Sequence, residues 1–198
     1  IGEEADLSSL PADRVPIIKR VIHATADFEF AQTLTFHPDA VRTAVESIRA
    51  GKDILTDVEM VRTGINKRLL SKWGGKVMCN IAVAPPCGRS PETLTRSAAG
   101  IESALKENGN IGIVAVGNAP TALLKTIEIL NSDGRPNRTS SSNITVIGVP
   151  VGFVKALESK ALLASQSFPF ITNLSRKGGS TVAVAIINAL LKMAEEEK

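Results

Sequence analysis

The stretch that decides the fold is Ile111–Asn131, IGIVAVGNAPTALLKTIEILN. Its first part, Ile111–Gly117, carries apolar residues at consecutive rather than alternating positions, the pattern of a strand buried on both faces of a parallel sheet. Gly117 closes that run, and Pro120 stands at the first-turn position of a helix expected over Pro120–Asn131. A buried strand that passes through a glycine turn directly into a helix is half of a β-α-β unit, and it sets the class as α/β.

Outward from this stretch the same unit recurs. Strands are predicted at Asp53–Asp57 (DILTD), Lys76–Ala82 (KVMCNIA), Asn143–Pro150 (NITVIGVP) and Pro169–Leu174 (PFITNL), all short and rich in Val, Ile and Leu. Between them lie helices. One is begun by Pro38 and stopped by Gly51, with Val41, Ala44, Val45 and Ile48 at three- and four-residue spacing; the others are Glu92–Asn108, Lys155–Ser165 and Ser180–Glu197. The alternation predicts a three-layer fold: a five-stranded parallel sheet with right-handed crossovers and helices on both faces. In such a fold the ligand sits beyond the carboxyl ends of the strands, where strand order reverses, so function is expected in the loops that follow strands. The polar stretch Asn131–Asn143 precedes a strand and reads as a surface loop at the opposite edge. With no internal repeat and no linker, residues 1–198 form one domain.

Composition narrows the classes. Of 198 residues, 43% are apolar and 22% charged, an ordinary globular balance that argues against a disordered chain. No apolar run approaches the roughly 18 residues of a membrane span, and no leader pattern opens the chain, so a cytoplasmic protein without membrane contact is expected. Cys79 and Cys87 are too few for a disulfide scaffold or a zinc cluster and read as free thiols. The net charge of +3 is spread over both signs; with no tyrosine, one tryptophan and no basic block, nucleic acid is not the expected partner. HExxH and GxSxG patterns are absent, so no metal site and no serine nucleophile is expected, and any chemistry should be acid–base and positional.

Four segments are candidates for that chemistry. In Gly117–Thr121 (GNAPT) the helix start offers backbone N–H groups and the positive end of the helix dipole, so Gly117 and Asn118 suit an anion; the same residues also suit a plain tight turn. In Ser175–Ser180 (SRKGGS), Arg176 and Lys177 bring charge, Gly178 and Gly179 allow close backbone approach to a ligand, and Ser180 can cap a helix or donate to an oxygen. This is neither a P-loop nor GxGxxG. In Arg20–Asp27 (RVIHATAD), the stripe Ile17, Ile18, Val21, Ile22 puts His23 at the end of a buried face, with Arg20 about one turn before it and Asp27 four residues after. A histidine between a cation and a carboxylate suits an acid or base, since imidazole titrates near neutrality, though a core histidine bonded to backbone fits too. In Thr95–Ala98 (TRSA), Arg96 and Ser97 suit a carboxylate or simply a helix surface. His37, before Pro38, reads as a helix cap without a role in chemistry.

Six pieces together resemble the precorrin-8X methylmutase family, which includes the cobalt-precorrin-8 methylmutases: KRVIHATAD (Lys19–Asp27), ILTDVEMVRTGI (Ile54–Ile65), TRSAAGIE (Thr95–Glu102), VAVGNAPTALL (Val114–Leu124), VIGVPVGFVKALESKALL (Val146–Leu163) and RKGGSTVAVAIINAL (Arg176–Leu190). They stand in family order and span most of the chain. Family members usually begin with a further helical segment bearing an Arg-Ser-Phe-like motif, and this chain opens just after that point. The resemblance implies a flavodoxin-like fold, a homodimer, and a pocket for a tetrapyrrole with many carboxylates. It implies a methyl shift from C-11 to C-12 of the macrocycle that gives hydrogenobyrinate or cobyrinate, with no redox change and no cofactor. It also implies that His23 is the catalytic residue and that Arg20 contacts substrate. The carboxylate-binding set expected beside them is Arg96, Ser97, Gly117, Asn118, Arg176, Gly178, Gly179 and Ser180. Two other readings compete: a non-catalytic tetrapyrrole carrier, and a flavin- or nucleotide-dependent oxidoreductase, which lacks its glycine fingerprint after the first strand.

Overall fold

The computed structural model describes residues 7–8, 10–82, 94–132 and 144–196. Along them run α1 (Val15–Thr25), α2 (Phe30–Thr33), β1 (Leu34–Phe36), α3 (Ala40–Arg49), β2 (Asp53–Thr56), α4 (Glu59–Gly64), α5 (Lys67–Leu70), a 3-10 turn (Ser71–Trp73), β3 (Val77–Met78), α6 (Arg96–Glu107), β4 (Ile111–Val116), α7 (Pro120–Asn131), β5 (Thr145–Gly148), α8 (Ala156–Ala164), β6 (Phe170–Asn173) and α9 (Ser180–Glu196). Cys87 and most of the polar stretch Asn131–Asn143 lie outside the described residues.

Local chemistry explains where the elements start and stop. Pro16 opens α1, Ile17, Ile18, Val21 and Ile22 form its buried stripe, and Ala26 ends it in the left-handed region at φ 54°, its N–H reaching the Ile22 carbonyl. The Thr95 side chain caps α6 by accepting from the Ala98 N–H. Before α3 the Nδ1 atom of His37 accepts from the N–H of Asp39, the cap residue, at 3.2 Å.

The sheet runs β1-β6-β5-β4-β2-β3. The five strands expected from sequence are all present and mutually parallel. A sixth corrects the five-stranded expectation: β1 lies antiparallel on β6, with Leu34 opposite Asn173 and Phe36 opposite Ile171. Three residues are too few to show a period, so β1 left no signal in the sequence; its pairing covers what would otherwise be an open edge.

Consecutive strand residues face opposite sides, and both sides are buried. Ile54, Ile113, Ala115, Ile147 and Ile171 pack with α1, α3 and α9. Leu55, Val114, Val116, Val146 and Phe170 pack with α6, α7 and α8. That double burial is why the strands read as continuous apolar runs. It also brings the loops after β2, β4, β5 and β6 to one edge of the sheet.

Candidate active site

The chain order reverses between β2 and β4, so the crevice beyond Thr56 and Val116 is where an open α/β sheet receives a ligand. One group already occupies it. The carboxylate of Asp57, 1% exposed, accepts at Oδ1 from the Gly117 N–H (3.0 Å) and at Oδ2 from the N–H groups of Asn118 (2.9 Å) and Ala119 (2.8 Å). Burial pushes this carboxyl above its ordinary range, and the three N–H donors pull it back toward the ionised form. The expectation that Gly117 and Asn118 offer free backbone N–H groups is therefore corrected: those donors belong to Asp57. What Asn118 presents outward is its exposed side chain. Gly117 is a glycine because α9 presses on it; an added Cβ would lie 2.8 Å from Ser180 Cα and 3.1 Å from Ala183 Cβ.

The SRKGGS segment follows β6 and leads into α9. Gly178 and Gly179 take positive φ values of 146° and 113°. A Cβ at Gly178 would meet the Val149 carbonyl oxygen at 2.3 Å, and the Gly179 N–H donates to that same oxygen at 2.7 Å. The close approach anticipated for a ligand is thus made to the backbone beyond β5. From beneath, Lys160 of α8, fully buried, donates to the carbonyls of Ser175 and of Lys177, the latter at 2.7 Å. Burial lowers the Lys160 ammonium to about 8, while its carbonyl acceptors favour the charged form. Arg176 is exposed and its guanidinium lies 5.7 Å from the ring centre of Phe153, which is itself 85% exposed.

At the end of α1, Arg20 and His23 are both exposed, so the enclosed setting expected for His23 is absent in the single chain. The expected carboxylate neighbour is engaged elsewhere. Asp27 pairs with Lys177 at 2.6 Å, and Lys177 also meets Glu29 at 2.7 Å. This ion-pair set holds Asp27 below the ordinary carboxylate range and raises Lys177. The carboxylate expected beside His23 thus ties the end of α1 to SRKGGS.

In TRSA, the Oγ1 of Thr95 lies 2.7 Å from the Oγ1 of Thr121, which links the start of α6 to GNAPT. Arg96 is exposed and donates to the Ile81 carbonyl at 3.1 Å. Ser97 is only 8% exposed, so it belongs to the packing of α6 more than to an outer wall. Three contacts therefore gather all four candidate segments: Lys177 on Asp27, Gly117 on Ser180, and Thr95 on Thr121. Among the described residues no three His, Cys, Asp or Glu side chains converge as metal ligands. Among the described residues no helix is long and apolar enough to cross a membrane.

Two buried charges beneath these loops, Asp57 and Lys160, escaped the sequence reading, and both left a trace. Asp57 directly follows a buried strand at the switch point, facing a turn rich in N–H donors. Lys160 shares the buried face of α8 with Ala156, Ser159 and Leu163, at three- and four-residue spacing, so the helical period marks it as interior.

The family model described as CbiC, precorrin-8X methylmutase, matches residues 1–193. A cobalt-precorrin-8 methylmutase of Priestia megaterium is 42% identical over 197 residues, covering 98% of this chain and 84% of that protein. One of Salmonella typhimurium is 45% identical over 177 residues, covering 88% and 79%. The solved structure of a precorrin-8X methylmutase from Thermus thermophilus superposes with a TM-score of 0.83 at 35% identity, covering 100% of this chain and 94% of that one. The fold, the order of the motifs and these likenesses agree: the chain belongs to the precorrin-8X methylmutase family, isomerases of cobalamin biosynthesis that act by intramolecular methyl transfer.

Proposed function

We propose that this protein moves the C-11 methyl group of precorrin-8X or cobalt-precorrin-8 to C-12, giving hydrogenobyrinate or cobyrinate, with His23 as the proton donor. The observation that carries the reading is the meeting of RVIHATAD, TRSA, GNAPT and SRKGGS, through Lys177 on Asp27, Gly117 on Ser180 and Thr95 on Thr121. The migration breaks the C-11–methyl bond and forms the C-12–methyl bond, with no net gain or loss of atoms. Protonation of a ring nitrogen creates electron demand at the acceptor carbon, and the proton returns to the base once the methyl has moved. The remaining work is positional. Arg20, Arg96 and Arg176 are exposed guanidiniums suited to bidentate grip on acetate and propionate groups, with Asn118 and Ser180 beside them.

The finer fold assignment supports this placement. Without β1, the order β6-β5-β4-β2-β3 is flavodoxin-like, and its switch point is the crevice beside Asn118. A homodimer in the cytoplasm, the state the family resemblance implies, completes the proposal. The test is incubation of the pure protein with metal-free and with cobalt-containing precorrin-8, followed by absorbance for the rearranged corrin chromophore. Turnover without added cofactor is expected, with a loss of about 10²–10⁴-fold in His23→Ala at unchanged melting temperature. Failure of both substrate forms with the folded protein refutes the assignment; His23→Ala within about threefold of wild type, below that range, refutes the proton-donor role alone.

A further inference from the structure

We infer that Asp57 is a positioning residue for the methyl-transfer site: its carboxylate is a built-in anion that fixes the Gly117–Ala119 turn and thereby holds Asn118 toward the substrate. The role of Asn118 rests on the proposed function; the built-in anion rests on geometry alone.

The turn before α7 is poorly equipped to hold itself. The residue at the cap position is Ala119, and no side chain caps α7 from within its own segment. Three successive N–H groups, those of Gly117, Asn118 and Ala119, would remain without acceptors at the positive end of a twelve-residue helix. Asp57 supplies the acceptors from just beyond β2, the neighbouring strand, and both of its oxygens are used. At 1% exposure the carboxylate has no face left for substrate, so it acts through the turn and not as a catalytic residue. It also couples β2 to β4 across the switch point, where a small change of backbone shape would move Asn118 directly. The Asn118 N–H is held at 2.9 Å while its side chain stands exposed, so the residue is fixed at its root and available at its tip.

Removing the carboxylate while keeping Cβ, in Asp57→Ala, leaves a space of the size and polarity of formate. The experiment measures kcat, KM and melting temperature of the full chain for wild type and Asp57→Ala, against formate titrated at constant ionic strength with chloride. The expected result is a loss of about 10- to 100-fold in kcat/KM, the scale of an ångström-level misplacement. Formate should restore it in a saturable way, with a parallel rise in melting temperature and no effect on wild type. Asp57→Glu keeps the charge but displaces it by one methylene. It should stay folded and lose turnover, which decides the matter if Asp57→Ala does not fold. Three results overturn the inference: Asp57→Ala within twofold of wild type; formate that restores melting temperature but not rate; or full activity in Asp57→Glu when Asp57→Ala is unfolded. If wild type itself turns over neither form of precorrin-8, the proposed function fails. The formate-dependent melting of Asp57→Ala then decides the built-in anion, its absence overturning it.

Discussion

Lys160→Met tests whether burial or hydrogen bonding governs the charge beneath the SRKGGS loop. Lys160 is fully buried, and burial lowers its ammonium from 10.5 to about 8. At about 1.36 kcal/mol per pH unit, that difference is worth about 3 kcal/mol. The sign follows from proton counts. Below about pH 8 the folded and unfolded chains both carry the proton, and the folded state bears the whole penalty. Between about 8 and 10.5 the folded chain has released it while the unfolded chain still holds it, so stability rises with pH. Methionine has similar length and no proton, so the variant lacks this slope. Urea unfolding of both proteins at several pH values from 7 to 10.5 isolates the effect, because every other lysine titrates alike in both and the chain has no tyrosine. Wild type should gain about 3 kcal/mol on the variant across the window, a relative midpoint shift of about 1–3 M urea. At neutral pH the variant leaves the Ser175 carbonyl without its Lys160 donor, which costs about 1–3 kcal/mol and offsets part of what removing the buried charge returns. A wild-type-minus-variant difference that stays flat from pH 8 to 10.5 would refute the reasoning: the carbonyls would then hold the ammonium at its ordinary value.

Gly117→Ala should destabilise the fold by about 1–3 kcal/mol through overpacking against Ser180 and Ala183, whereas Gly109→Ala, with nothing within 4 Å of the added Cβ, should be neutral or slightly stabilising in the same melting assay. Arg96→Ala and Arg176→Ala should each weaken product binding by about 1.5–3 kcal/mol in titration calorimetry; unchanged affinity in both would return these side chains to the plain surface. Light scattering at micromolar protein should give the mass of a homodimer, and a stable, fully active monomer would remove that part of the proposal.

The parallel strands were legible because burial on both faces forces consecutive apolar residues, as in Ile111–Val116. The antiparallel β1 was not, because a three-residue edge strand with one half-exposed position has no pattern to read. The site divides in the same way. GNAPT and SRKGGS could be located from the glycines and proline that punctuate strand ends, and RVIHATAD from the apolar helical stripe that ends at His23. The partners of their polar groups could not, because those partners are distant in sequence: Asp57 meets Gly117 sixty residues on, and Asp27 meets Lys177 one hundred and fifty residues on. Gly178 and Gly179 show the hazard directly. Their type signals close backbone approach, and the structure makes that approach to Val149 rather than to a ligand.

The buried charges beneath the two loops, Asp57 and Lys160, have opposite signs because the loops have opposite needs. A turn entering a helix has surplus N–H groups, and Asp57 meets them; the loop leaving β6 turns carbonyls inward, and Lys160 meets those. With the N–H groups of the Gly117–Ala119 turn taken by Asp57, recognition of an incoming anion at that turn falls to side chains. That arrangement is unsuited to a dinucleotide or flavin phosphate, which relies on free N–H groups at a helix start beyond the switch point. A phosphate placed there would also face the Asp57 carboxylate. Under the proposed function, the carboxylates of a wide ring would instead meet arginines from separate elements: Arg20 on α1, Arg96 on α6 and Arg176 beyond β6. The carboxylate that argues against the nucleotide reading thus leaves the proposed tetrapyrrole substrate to be gripped by side chains.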